Sequence, residues 1–170
     1  SHPIAGSEQR GLEFARDDLF ERAACIITKD KNSDSQAVKT LRDFWEKLGC
    51  IVELMSPAEH DRIFADISHL PHAVAAALIN ANESKTLKSA GQGFIDTSRI
   101  ASGPANIWAD VFLTNTGNLV DGIDRVAQQL KELRRILKKQ DRDELEKLLN
   151  RARDKRARMI KYKMQKKELI

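Results

Sequence analysis

Three short strings in this chain carry side chains able to move a proton or hold an anion. The first is His2-Pro3-Ile4-Ala5-Gly6-Ser7-Glu8, at the amino end. The second is Glu59-His60-Asp61, followed by Ser68-His69-Leu70-Pro71-His72. The third is Gly93-Phe94-Ile95-Asp96-Thr97-Ser98-Arg99-Ile100-Ala101, with Trp108 nine residues beyond Arg99. A neutral imidazole that titrates near neutrality suits a proton acceptor. A guanidinium offers a planar, permanently charged fork for a carboxylate. Ser68 and His72 lie four apart on one helix face, so both can point into the same cleft, and His69, three before His72, shares that face. A lone histidine is more often a packed or surface residue than a catalyst, so the strings matter as a set.

The elements that must position them divide the chain near residue 56. Before it the pattern is α/β. Ala23 to Thr28 is an apolar run ending in the turn Lys29-Asp30-Lys31-Asn32, and Cys50 to Met55 is a second strand. Between them the spacing of Val38, Leu41, Trp45 and Leu48 predicts a helix capped by Ser33 and stopped by a left-handed Gly49. A βαβ unit of this kind makes its two strands parallel. After residue 56 the chain reads as all-helical. Ser56, Pro57 and Glu59 form a capping box for a helix that Pro71 must kink. A short helix is expected within Asn80–Ala90, with Gly91-Gln92-Gly93 as a loop. Further helices are expected from Pro104 to about Asn115 and from Asn118 to about Lys139. A last helix begins at an Asp141/Glu144 capping box, and Lys161–Lys167 should be a frayed, solvated end. The expected fold is mainly α: residues 1–56 hold the last βαβ of a Rossmann-type domain, and residues 57–170 a helical dimerisation domain.

Composition narrows the function. Charged residues reach 32% and hydrophobic residues 41%, which is neither disordered nor membrane-like. No apolar run approaches the roughly 18 residues of a membrane span. Aromatics at 5% argue against a base-stacking platform. Residues 131–170 carry 16 Lys/Arg and 7 Asp/Glu, a balance of +9, so the rest of the chain is near −5 and the basic character belongs to the tail. That tail reads as a solvated face, and neither a nucleic-acid nor a membrane partner is expected. Cys25 and Cys50 cannot build a disulfide framework or a cysteine zinc site, and a reducing cytoplasm fits them.

Taken together, the strings closely resemble the prephenate/arogenate dehydrogenase family. Its pattern runs His-Pro-x-x-Gly-x-Glu, Glu-His-Asp, Ser-His-Leu-Pro-His, Gly-Phe-x-Asp-x-x-Arg-Ile-Ala and a downstream Trp, and the likeness extends from residue 2 to about residue 158. The resemblance implies oxidative decarboxylation in tyrosine biosynthesis, a homodimer formed through the helical domain, and a substrate, prephenate or arogenate, held between two domains. It makes His2 the catalytic proton acceptor. It makes Arg99, Ser68, His72, His69, Gly93 and Trp108 substrate-binding, with Gly93 letting backbone approach the ligand and Trp108 supplying an apolar wall. Ser7 falls where family members vary and bears on the preference between keto and amino side chains. The cofactor implied is NAD or NADP. The glycine-rich βα turn that would hold it is absent from this sequence, because Gly91-Gln92-Gly93 neither follows a strand nor opens a βα turn. The expectation is therefore the C-terminal part of such an enzyme, inactive alone, with His2 poorly held and residues 1–56 exposing a strand edge.

Two other readings fit parts of the sequence. His60-Asp61 and His69-x-x-His72 echo a helical metal-dependent phosphohydrolase, yet no histidine follows His72 to complete a ligand set; metal content after purification discriminates. A non-catalytic helical dimerisation module is the other.

Overall fold

The computed structural model describes residues 1–5 and 12–166. The described residues form two compact units, one of Ser1–His60 with Lys131–Ile170 and one of Asp61–Leu130. Among them no helix is long and apolar enough to cross a membrane.

The first unit is built on a three-stranded sheet in the order β1 (His2–Pro3), β2 (Ala24–Thr28), β3 (Ile51–Met55). β2 is central, and Cys25, Ile26 and Ile27 are buried, as a continuous apolar run predicts. β3 runs parallel to it in the register Ala24↔Ile51 to Thr28↔Met55, as the βαβ reading requires. β1 pairs antiparallel on the other side, with His2 opposite Ile26. His2 is thus tied into the sheet, which corrects the expectation that it is poorly held.

Helix α1 (Ser35–Lys47) joins β2 to β3. Its cap is Asp34, which accepts the Ala37 N–H at 2.7 Å, and not Ser33. Ser33 is engaged one residue earlier, where its hydroxyl donates to Asp30 Oδ1 at 3.0 Å and accepts from the Asp30 N–H. Gly49 has φ +88°, as expected of a left-handed stop. Its N–H bonds to Glu46 O and that of Cys50 to Trp45 O, the paired bonds that close such a helix end. Trp45 packs edge-on to Phe20 against the cluster of Ala23, Cys25 and Cys50.

The same unit holds α8 (Arg142–Gln165), which follows α7 (Thr116–Lys139) through a turn at Gln140, φ +53°. Asp141 caps α8 by accepting the Glu144 N–H at 2.9 Å. The Glu144 carboxylate does not complete a capping box but accepts from Arg135, which also forks onto Glu132. The expected frayed end is helical through Gln165. Arg, Lys, Ala, Met and Gln are strong helix formers, and the Lys166 ammonium pairs with Glu53 of β3.

α2 (Pro57–Phe64), whose first four residues belong to the first unit, leads into a π-helical turn of the second unit, Ala65–His69, and then α3 (Leu70–Asn80). The break expected at Pro71 takes this form for a physical reason. Proline has no N–H to donate, and its ring crowds the carbonyl four residues back, so the preceding turn widens. The Leu70 N–H then reaches five residues back, to Ala65 O. Next come α4 (Ser84–Leu87), α5 (Gln92–Ser98), a 3-10 turn (Arg99–Ser102) and α6 (Ala105–Thr114). Gly91 is the N-cap of α5, so Gln92 and Gly93 belong to a helix and not to the expected loop. The first half of α7 packs on the π turn: a Cβ at buried Gly122 would lie 3.3 Å from Leu70 Cδ2 and 3.4 Å from Asp66 Oδ1.

Candidate active site

The sequence-predicted residues fall into two groups, one in each unit. In the first unit, the exposed His2 ring meets His60, the fourth residue of α2. Their Nδ1 and Nε2 atoms are 3.0 Å apart, and the rings are edge-on with centroids 5.3 Å apart. The α2 start is held by Ser56, whose hydroxyl accepts the Glu59 N–H at 3.2 Å and whose carbonyl accepts the His60 N–H at 2.9 Å. Ser7 lies outside the described residues.

In the second unit, His72 of α3 is 5% exposed and stacks on Trp108 of α6, with centroids 3.6 Å apart and planes 15° from parallel. Phe112, one turn further along α6, meets both rings edge-on. Burial holds the His72 imidazole below the ordinary histidine range, so it is neutral at neutral pH. Its Nδ1 is buried and has no hydrogen-bond partner among the described residues. A buried polar atom left unpaired costs about 1–3 kcal/mol, which a ligand group able to pair with it would recover.

Ser68 and His69 lie in the π turn, so the uniform α-helical spacing used to align Ser68 with His72 does not run through this segment. His69 Nδ1 is 3.4 Å from the Asn115 amide, which also donates to Asp61 O at 2.7 Å. Arg99 opens the 3-10 turn after α5, exposed, and Asp96 of α5 is engaged by Gln92 at 2.7 Å. Gly93 stands in the first turn of α5, and a Cβ there would meet nothing within 4 Å. The protein by itself therefore makes no demand for glycine at that position.

One residue with consequences for this region escapes the sequence reading. Gly103 follows the 3-10 turn, and a Cβ on it would lie 2.9 Å from His72 Cε1 and still closer to the Trp108 indole. His60 stands in one of the strings, and its ring touches that of His2, 58 residues away. No local spacing signals such a contact.

The turn between β2 and α1 shows whether a dinucleotide's phosphates could sit at the start of α1. Residues 29–34 contain no glycine, and the Asp34 carboxylate already takes an amide at the α1 N-terminus. A pyrophosphate needs glycines for close approach and unclaimed amides at that helix end. This turn does not fit one. Among the described residues no group of three or more His, Cys, Asp or Glu side chains could hold a metal ion. A cavity of about 460 Å³ in the first unit is lined by Ile4, Arg16, Asp18, Glu21, Arg22 and Lys163 among others, and includes none of the predicted residues.

Comparison with known proteins gives this arrangement its context. Residues 1–54 match the family described as prephenate dehydrogenase, nucleotide-binding domain, and residues 56–151 the one described as prephenate dehydrogenase, dimerization domain. A cyclohexadienyl dehydrogenase of Zymomonas mobilis is 34% identical over 152 residues, covering 85% of this chain and 52% of that protein. A prephenate dehydrogenase of Bacillus subtilis is 34% identical over 161 residues, covering 91% of this chain and 43% of that protein. The chain thus spans about half the length of the curated relatives it matches. The crystal structure of prephenate dehydrogenase from Aquifex aeolicus in complex with hydroxyphenyl propionate and NAD+ superposes with a TM-score of 0.86 at 36% identity, covering 93% of this chain and 57% of that one. The match of the dimerization domain to more than half of the residues, on a fold shared with a solved member, makes this chain a member of the prephenate dehydrogenase family.

Proposed function

We propose that this chain is the substrate-binding and dimerisation portion of a cytoplasmic prephenate or arogenate dehydrogenase, with NAD or NADP as the cofactor of the intact enzyme. The observation that carries this reading is the neutral, buried His72 stacked on Trp108, its Nδ1 unpaired, in the same helical unit as the exposed Arg99 fork. Such a set suits a ring-bearing dianion: indole and imidazole faces for the ring, a hydrogen-bonding nitrogen, and a guanidinium for a carboxylate. Ser68 and His69 add hydrogen-bonding groups from the π turn, Gly93 leaves room at the start of α5, and Ser7 bears on the substrate side chain.

The dinucleotide supplies a hydride acceptor when bound, and its phosphates are not held by the 29–34 turn. The remaining chemistry falls to these side chains. As the substrate C–OH becomes C=O, its proton passes to the His2 imidazole. The ring carboxylate, paired until then with a cation, leaves as carbon dioxide. The electrons of the broken C–C bond close the aromatic ring, and the resulting phenolate is reprotonated.

Binding is tested on the chain itself. Hydroxyphenyl propionate should quench Trp108 fluorescence saturably in a Trp45→Phe background, and Arg99→Ala should weaken the response at least tenfold. No saturable change in a folded chain would overturn the reading. We further propose a homodimer. Ile67, Leu113 and Leu130 of the helical unit are 64%, 74% and 60% exposed, apolar side chains that a second copy would cover. Light scattering should give twice the 19.2 kDa chain mass at micromolar concentration, and a monomeric mass would refute it.

A further inference from the structure

The His2–His60 contact has a consequence for how His2 can work. Both rings are carried by constrained backbone: His2 by its pairing with Ile26, His60 by the Ser56-capped first turn of α2. At 3.0 Å, His2 Nδ1 and His60 Nε2 form a hydrogen bond only if one nitrogen carries hydrogen and the other a lone pair. Two imidazolium rings would point N–H at N–H, so this geometry excludes the doubly protonated pair.

Two arrangements remain. If His60 donates, His2 carries its hydrogen on Nε2 and has no lone pair there to offer a substrate. If His2 donates from Nδ1, its lone pair is on Nε2. A base whose remote nitrogen faces the reaction needs the second arrangement, and in hydrolase triads an acceptor on the near nitrogen serves this purpose.

We propose that His60 is a positioning residue: its Nε2 accepts the Nδ1–H of His2 and so places the His2 lone pair on Nε2, the nitrogen that takes the substrate hydroxyl proton. The inference rests on the reading of His2 as that acceptor. The balance is simple. The O–H bond of the substrate breaks, an N–H bond forms at His2 Nε2, and the Nδ1 hydrogen stays on His2. No proton passes to His60. The hydrogen bond to it becomes charge-assisted once His2 is an imidazolium, which strengthens it as charge develops. A neutral imidazole does here what a carboxylate does in a triad, without placing an anion beside a dianionic substrate.

The test reads tautomers directly. In the ¹⁵N-labelled chain at a pH above the imidazole range, long-range ¹H–¹⁵N correlations distinguish protonated from bare ring nitrogens, and only four histidines have to be assigned. His2 should be protonated on Nδ1. His60→Leu should shift it toward the Nε2–H form, and His60→Gln, whose amide oxygen can accept the same hydrogen, should restore the Nδ1–H form at least in part. A purely structural role for His60 would leave both variants with one tautomer. In a complete enzyme carrying this segment, His60→Leu should lower kcat by about 10²-fold, the scale of a mispositioned base, with KM nearly unchanged. A wild-type His2 protonated on Nε2 overturns the inference, and so does a tautomer indifferent to residue 60, which alone leaves His2 as the acceptor. Undiminished kcat in His2→Asn overturns both.

Discussion

Gly103→Ala tests the packing that orients His72. The added methyl would stand 2.9 Å from His72 Cε1 and 2.8 Å from Trp108 Cδ1, where ordinary contact begins at 3.4 Å. The imidazole must therefore retreat by about half an ångström, and the indole, whose Nε1 lies closest of all, by about one. Neither is the tip of a flexible chain. The indole is backed by Phe112 and the imidazole is 5% exposed on α3. Overpacking of this kind costs about 1–3 kcal/mol, and in a domain of this size each kcal/mol lowers Tm by roughly 2–4 °C. The expected drop in a circular-dichroism melt is then about 2–12 °C. Stacking at 3.6 Å also places the His72 ring protons in the shielding cone of the indole. Their resonances should move downfield in the variant, and binding of hydroxyphenyl propionate should weaken. An unchanged Tm together with unmoved His72 resonances would show that the stack does not depend on a bare Cα at position 103.

His72 also predicts a pH dependence. Its folded value lies below the unfolded one near 6.5, so the unfolded chain takes up the proton first and stability should fall as pH drops through 6.5, a slope that His72→Phe should flatten in denaturant titrations. Cys25 works in the opposite sense. Burial pushes its thiol from 9.0 up to about 11, so stability present below pH 9 should erode between pH 9 and about 11, and thiol reagents at neutral pH should label it only at the rate of unfolding. Arg135→Ala and Glu144→Ala should each loosen the α7–α8 turn and combine less than additively in a double-mutant cycle, because one guanidinium joins both carboxylates across it; additive effects would mean that the bridge contributes nothing.

Much of the architecture was legible because local chemistry dictates it. Ala24–Thr28 is too short and too apolar to be anything but a buried strand, and Gly49 stands where only glycine turns left-handed at no cost. Ser56 and Asp141 announced helix starts through side-chain oxygens that accept an amide three residues on. The misreadings arose where two local signals competed. Ser33 and Asp34 are both good caps, and the Asp30 turn claims the first of them. Gly91-Gln92-Gly93 looks like a loop by composition, yet glycine is also an acceptable N-cap, and Gly93 meets no neighbour that resists helix. At the tail, weak apolar periodicity suggested fraying, while helix propensity and a pairing with Glu53, 113 residues away, act the other way.

Four of the side chains proposed for chemistry share a feature that periodicity cannot express: each sits where regular structure is interrupted. Ser68 and His69 occupy a π turn, Arg99 opens a 3-10 turn, and His2 belongs to a strand of two residues. A regular helix presents side chains every 100°, and its ladder leaves no choice of direction. Widening one turn before Pro71, or tightening one after α5, re-aims polar groups without unravelling the neighbouring helices, which bury their own apolar stripes. The proline that looked like a flaw in an otherwise good helix is therefore part of what directs Ser68 and His69. Replacing it with alanine should relax the π turn toward α-helix and rotate those two side chains, while His72, held by Trp108, stays in place.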